Sequence, residues 1–349
     1  MKHIVSNLSG VGGIVLAVMT VLIFLVANWV AALAFLLLFG VPLALRQSVP
    51  PYTSFGGRLW NYAYTLICAW IFLFLIAPIL VVIPLSFNAE PYFTFTSGML
   101  AFDPSAYSTR WYEQLAHLGM LNPDTTDDSA WWRDLWNNSQ WLNATKNSII
   151  IGFFSTILAT ALGTLAALGL SRPEMPYRRL IMALLISPMI VPLIITATGL
   201  FFFYSSVGLA NSYVGIIMAH ATLGIPFVII TVTATLVGFD QGLIRASKSL
   251  GANEWTTFRQ VILPLITPGV ISGALFAFVT SFDEVVVVLF IAAFDQQTIP
   301  RQMWNGIREQ ISPTILSAAT ILVFFSIALL TTVELLRRRN ERLRGLSAA

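Results

Sequence analysis

Long uninterrupted apolar runs limit the folds open to this chain more than any single motif does. Six of them, at about 62–85, 147–170, 180–204, 212–236, 268–292 and 313–336, match the ~20 residues a helix needs to cross a bilayer core. With 57% of residues hydrophobic and only 10% charged, the chain is too apolar for one soluble domain to hide its side chains, so lipid is part of its solvent. The expected fold is all-α and polytopic. A seventh run, 11–45, would reach ~52 Å as one straight helix against a hydrocarbon core of ~30 Å, so one straight helix fits it poorly. It is also about twice the usual length of a cleaved signal's apolar core, and is expected to be retained.

Basic loops stay cytoplasmic, so the Lys and Arg positions set the orientation. Arg172, Arg178 and Arg179 share one short loop, Arg245, Lys248 and Arg259 another, and Arg337, Arg338, Arg339, Arg342 and Arg344 follow the last run. All three belong inside. The loop 86–145 carries seven acidic residues against Arg110 and Arg133, and belongs outside. Six alternating spans satisfy these assignments, with Arg46 and Arg58 placing the start of the 62–85 span inside. If Lys2 is also inside, 11–45 crosses an even number of times, as a hairpin turning near Asn28; a single crossing with an outside N-terminus is the alternative. The organisation is therefore a hydrophobic segment with a linker over 1–60 and a membrane domain over 61–349.

The external loop holds Trp111, Trp131, Trp132, Trp136 and Trp141. Its stretch 129–142 reads as an amphipathic helix on the outer surface, with interfacial anchoring weighed against ligand capture. Cys68 is the sole cysteine, which excludes a disulfide framework and a cysteine zinc cluster. A net charge of +3 spread over short loops gives nucleic-acid binding little support. Neither HExxH nor GxSxG occurs, there are three histidines in all, and no convincing internal repeat is found. An intramembrane enzyme and a stand-alone secondary transporter are both weaker readings.

The segment 238–264 is too polar to cross and too patterned for a linker. Leu243, Ala246, Ser247 and Leu250 share one helical face, and Gly251 can take the left-handed conformation that ends a helix. Asn253 can cap a second helix with Glu254 in its first turn and Arg259 near its end, and Trp255, Phe258 and Ile262 line one side. The run RASKSLGANEWTTFRQVILPLITPGV resembles the signature cytoplasmic loop of binding-protein-dependent ABC importer permeases, whose pattern is Glu-Ala-Ala, three residues, Gly, then a distal Ile-x-Leu-Pro. Ala246, Gly251, Ile262, Leu263 and Pro264 hold their places. Arg245 stands where the first Glu is expected and Ser247 where the second Ala is, which puts a role special to that Glu in doubt. The similarity covers most of the chain after Trp60, and SFDEVVVVLFIAAFDQQTIPRQMWNGIREQISPTI looks most like spermidine/putrescine permeases of the second-subunit type.

The resemblance implies a six-helix type I permease core in the bacterial inner membrane, paired with a homologous permease, two ATPase subunits and an extracytoplasmic binding protein. It implies that Arg245, Ala246, Gly251, Trp255, Phe258 and Pro264 belong to an ATPase-coupling loop. No GxxxxGK[ST] phosphate loop occurs in the sequence, so ATP and Mg are expected on the partner ATPases and no cofactor or metal on this chain. The implied cargo is a polyamine, with another small cation, an opine or an amino-acid derivative as the alternative.

Asp283 and Glu284 fall in the middle of the 268–292 run. Ionisable groups in a span are expensive and face a path or a partner. If the run is one helix their directions differ by ~100°, so at most one points straight into a central path. The sequence leaves open which one, and whether the pair touches a polyamine ammonium or a neighbouring subunit. Phe282 and Tyr204 are further path candidates through cation–π contact. His220, without a partner at i+4, reads as a helix-packing hydrogen bonder.

Overall fold

The computed structural model describes residues 20, 52–172, 174–237, 241–309 and 312–343. Apart from Thr20, the run 11–45 and its hairpin or single crossing lie outside them. Among the described residues the structure is a succession of helices, and the chain divides into two compact units, 89–318 and the remainder.

In the second of these, helix α1 (Phe55–Leu85) opens with Ser54, whose hydroxyl accepts from the Gly57 amide at 3.2 Å. Its 31 residues span ~46 Å, and Phe72, Phe74 and Leu75 stand exposed along it, as expected of a helix whose solvent is hydrocarbon.

In the unit 89–318 the short helices α2 (Arg110–His117) and α3 (Asp128–Asn138) precede α4 (Gln140–Leu170). Then come α5 (Arg178–Ile190), α6 (Leu193–Ser206), α7 (Tyr213–Val237), α8 (Gln241–Ser249), α9 (Glu254–Thr257), α10 (Leu263–Phe282), α11 (Val286–Ile291) and α12 (Ile299–Glu309). Helix α13 (Thr314–Leu343) starts in this unit and has its apolar part over Thr314–Ala328.

Helices α4, α7 and α10 form the centre because small residues let their backbones approach, the device that holds helices together where lipid is as apolar as the side chains. A Cβ on Gly273 would lie 2.8 Å from Val228 Cα and 2.5 Å from Thr231 Oγ1. One turn earlier, a Cβ on Gly269 would collide with Thr235 Oγ1, and one on Gly163 would come within 2.6 Å of Val228 Cβ. A buried polar chain adds to this packing: Ser155 donates to Ser281 Oγ at 2.9 Å, and His220 Nδ1 meets that hydroxyl at 2.8 Å. His220 is thus the packing hydrogen bonder its isolation in the sequence suggests.

Three expectations from the sequence need correction. The 180–204 run is not one straight span: α5 and α6 are bent by 101° at Val191 and Pro192. Pro192 has no N–H to donate and disfavours helical geometry in Val191, whose φ of −69° and ψ of 136° are extended. The 268–292 run is broken as well, since α10 stops at Phe282 and α11 restarts at Val286, so the ~100° argument does not apply. The amphipathic helix expected over 129–142 ends at Asn138. Ser139 caps a new helix there, accepting from the Leu142 amide, and Trp141 belongs to α4 and is buried, while Trp132 and Trp136 stay exposed on α3.

Candidate functional site

The helix-turn-helix at 241–262 follows from its local chemistry. Gly251 has φ +86°, and the amides around it close the end of α8: Gly251 N–H donates to Lys248 O at 3.0 Å and Ala252 N–H to Ser247 O at 3.1 Å. Asn253 Oδ1 then accepts from the Thr256 amide at 2.8 Å and starts α9. The two arms are joined by the Ser247–Thr257 hydroxyl contact at 2.9 Å and the Lys248–Glu254 ion pair at 2.6 Å. That hydrogen bond to Lys248 holds the Glu254 carboxyl below its ordinary range. Both partners of the pair are well exposed, so it orients the turn more than it stabilises it.

At the tip Leu250 is 88% exposed and Trp255 66% exposed, and Arg245, Ala246 and Lys248 are exposed beside them. Phe258 is half-buried, its ring 5.8 Å from that of Trp255. Pro264 is exposed at the base. Because Pro264 has no N–H for the carbonyl four residues back, the turn Phe258–Ile262 widens to a π turn, with Leu263 N–H bonded to Phe258 O. The helical course continues through it, so Glu254 to Phe282 forms one body of 29 residues, ~43 Å long.

At the other end of that body the two acidic neighbours part company. Asp283 is the residue that ends α10, with φ −91° and ψ −1°, and it is exposed. Glu284 is 7% exposed, and its Oε1 accepts from the Val287 amide at 2.9 Å, which makes it a cap for α11. Phe282 is half-buried, its ring stacked on Phe278 at 5.6 Å. Tyr204 is 3% exposed, in a cluster with Ile216, Val287 and Ile291. Asp283, Glu284 and Phe282 therefore meet at one helix break, while Tyr204 belongs to the packing around α11.

Three contributors escape the reading of the sequence. Arg301 on α12 donates through Nη1 to Val288 O at 2.7 Å and Ala292 O at 2.9 Å, closing the C-terminal end of α11. Asn147 on α4 donates to Asp295 O and Gln297 O, both at 2.9 Å, and accepts from the Tyr213 hydroxyl at 2.8 Å. Near them a cavity of about 390 Å³ is lined by Gln114, Gln140, Trp141, Gln297, Gln302 and Asn305 among others. An arginine and several amides inside a largely apolar region were the available signal; Asn147 bonds backbone carbonyls 148 and 150 residues away, and Arg301 bonds those of a helix whose break the hydropathy does not reveal.

Comparison with known proteins points the same way. The family model described as "Binding-protein-dependent transport system inner membrane component" matches residues 159–344. The spermidine/putrescine transport system permease protein PotC of Haemophilus influenzae is 30% identical over 271 residues, covering 78% of this chain and 95% of that protein. The putrescine transport system permease protein PotI of Escherichia coli K12 is 27% identical over 263 residues, covering 72% and 82% respectively. In fold, the chain resembles a solved bacterial ABC transporter involved in import of the acidic polysaccharide alginate, with a TM-score of 0.58 and 16% identity, covering 82% of this chain and 99% of that one.

Proposed function

Since the chain belongs to the family of binding-protein-dependent transport system inner membrane components and is the permease subunit of an ABC importer, we propose that its cargo is a polyamine. The observation that carries this reading is the similarity to a spermidine/putrescine permease, which runs over 95% of that protein. The chemistry agrees with it: a dication leaving water needs compensating negative charge, and Asp283 is an exposed carboxylate at the end of a long apolar helix.

The mechanism follows from the body Glu254–Phe282. One end carries Trp255, which with the exposed Leu250 of the turn leading into it makes an apolar tip of the kind that seats in a partner's pocket; the other end carries Asp283. Closure of the ATPases pulls on the tip, and a continuous helix passes that displacement to the break at 283–285 without loss in a loop. In this reading ATP and Mg act on the partner ATPases, a homologous permease completes the path, and a binding protein delivers the cargo from outside.

The test is uptake by the assembled complex, with its binding protein, in proteoliposomes. Labelled spermidine or putrescine should accumulate with ATP inside, and an excess of unlabelled polyamine should abolish the signal. ATP-dependent accumulation of an opine or amino-acid derivative, with no response to polyamines, would overturn the cargo while leaving the permease role intact.

A further inference from the structure

Helix α11 has six residues, too few to hold itself by its own hydrogen bonds, yet Val287, Val288 and Ile291 on it are fully buried. What holds it is a hydrogen-bonding side chain at each end. Glu284, buried, accepts from the Val287 amide at the N-terminal end; Arg301, reaching back from α12, donates to the carbonyls of Val288 and Ala292 at the C-terminal end. An acceptor at a helix start and a donor at its finish satisfy backbone groups that a helix leaves unpaired at its ends. The two residues sit on different elements, so α11 is strapped both to the end of α10 and to α12. The last carbonyl of α11 is tied as well, because Asn211 N–H donates to Ile291 O at 2.9 Å, and the start of α12 is fixed by Ile299 N–H donating to Ser148 Oγ at 2.9 Å.

We propose that Glu284 and Arg301 form a two-ended clamp on α11 that sets where Asp283 stands, and that both are positioning residues and not contacts for the cargo. A carboxylate spent on a backbone amide in a buried place is not available to a passing ammonium; the exposed one beside it is. This assignment rests on the reading that the 283–284 break borders the path, and it divides the two acidic residues into one that meets the cargo and one that aims it.

The clamp is tested with two kinds of substitution in the full complex. Glu284→Gln keeps an oxygen to accept from Val287, and Arg301→Lys keeps a cationic donor; Glu284→Leu and Arg301→Met remove the bonds. Hydrogen exchange of the peptide spanning 285–292 should quicken at least about tenfold in Glu284→Leu and in Arg301→Met and stay near wild type in the two conservative variants. This readout does not depend on what is carried, so it stands even if the polyamine reading falls. For uptake, Glu284→Gln should keep KM within about twofold of wild type, whereas Asp283→Asn should raise it. Unchanged exchange in both Glu284→Leu and Arg301→Met would overturn the clamp. A KM for Glu284→Gln that rises as far as for Asp283→Asn, with exchange unchanged, would overturn the division of roles.

Discussion

Two glycines show how one residue type answers to two different physical demands. Gly251 has φ +86° and nothing within 4 Å of where a Cβ would stand, so its constraint is the backbone alone. Gly251→Ala therefore places a side chain in the left-handed region at a cost of about 1–2 kcal/mol, and Gly251→Val at more. Membrane insertion should be normal and ATPase stimulation by the loaded binding protein reduced, the valine more than the alanine; full stimulation in the valine variant removes the turn from the coupling route. Gly273→Ala should fail differently, because the added carbon meets the Val228 backbone across the α7–α10 contact. Overpacking of this kind costs about 1–3 kcal/mol, read as a lower Tm of the solubilised protein with coupling in the surviving fraction intact.

At the scale of elements, helix α3 is tied to the loop before it by a carboxyl that titrates. Asp134 on α3 accepts from the Asn138 amide side chain at 2.6 Å and from the backbone N–H groups of Asn122 at 2.7 Å and Leu121 at 3.1 Å, and these bonds keep its carboxyl below the usual range. A depressed folded-state value means that the tie is fully present above the ordinary carboxylate pKa of about 3.9 and is lost as pH falls through the folded value. The segment 121–125 should thus come loose from α3 only below about pH 4. Pepsin, active in that range, should cut beside Leu121 increasingly as pH drops from about 4 to about 2, and should cut the Asp134→Asn variant already at the upper end. Equal cutting of both proteins across the range would show that Asp134 does not hold this loop.

For the molecule as a whole, orientation is the property on which the proposed mechanism depends, since in it the apolar tip faces ATPases and the acidic segment 86–145 a binding protein. Ser129 and Ser249 are both exposed, one in the acidic segment and one beside the apolar tip. In a Cys68→Ser background, single cysteines at these two positions should be labelled by a membrane-impermeant maleimide from opposite sides, 129 in intact cells and 249 only in inverted vesicles. Labelling of both from one side would overturn this orientation.

What the sequence determined by itself is whatever depends on neighbours along the chain. The helix-turn-helix at 241–262 was legible residue by residue, because a cap, a left-handed glycine and an amphipathic repeat are local, and Gly251 and Asn253 take the places that chemistry assigns them. The family was legible from the same loop. Hydropathy located every long apolar stretch among the described residues, but it reports only transfer from water to lipid, and a bent or interrupted helix transfers as well as a straight one. The stop at Phe282 was therefore hidden, and so was the 101° size of the bend at Pro192, since a proline in an apolar run marks only where a helix can loosen. So was the difference between Asp283 and Glu284, which are neighbours in the chain and alike in charge. Only the packed structure separates them, because burial and the amide of Val287 claim one carboxylate and leave the other exposed, and Arg301 completes the arrangement from a helix the local pattern could not connect to it.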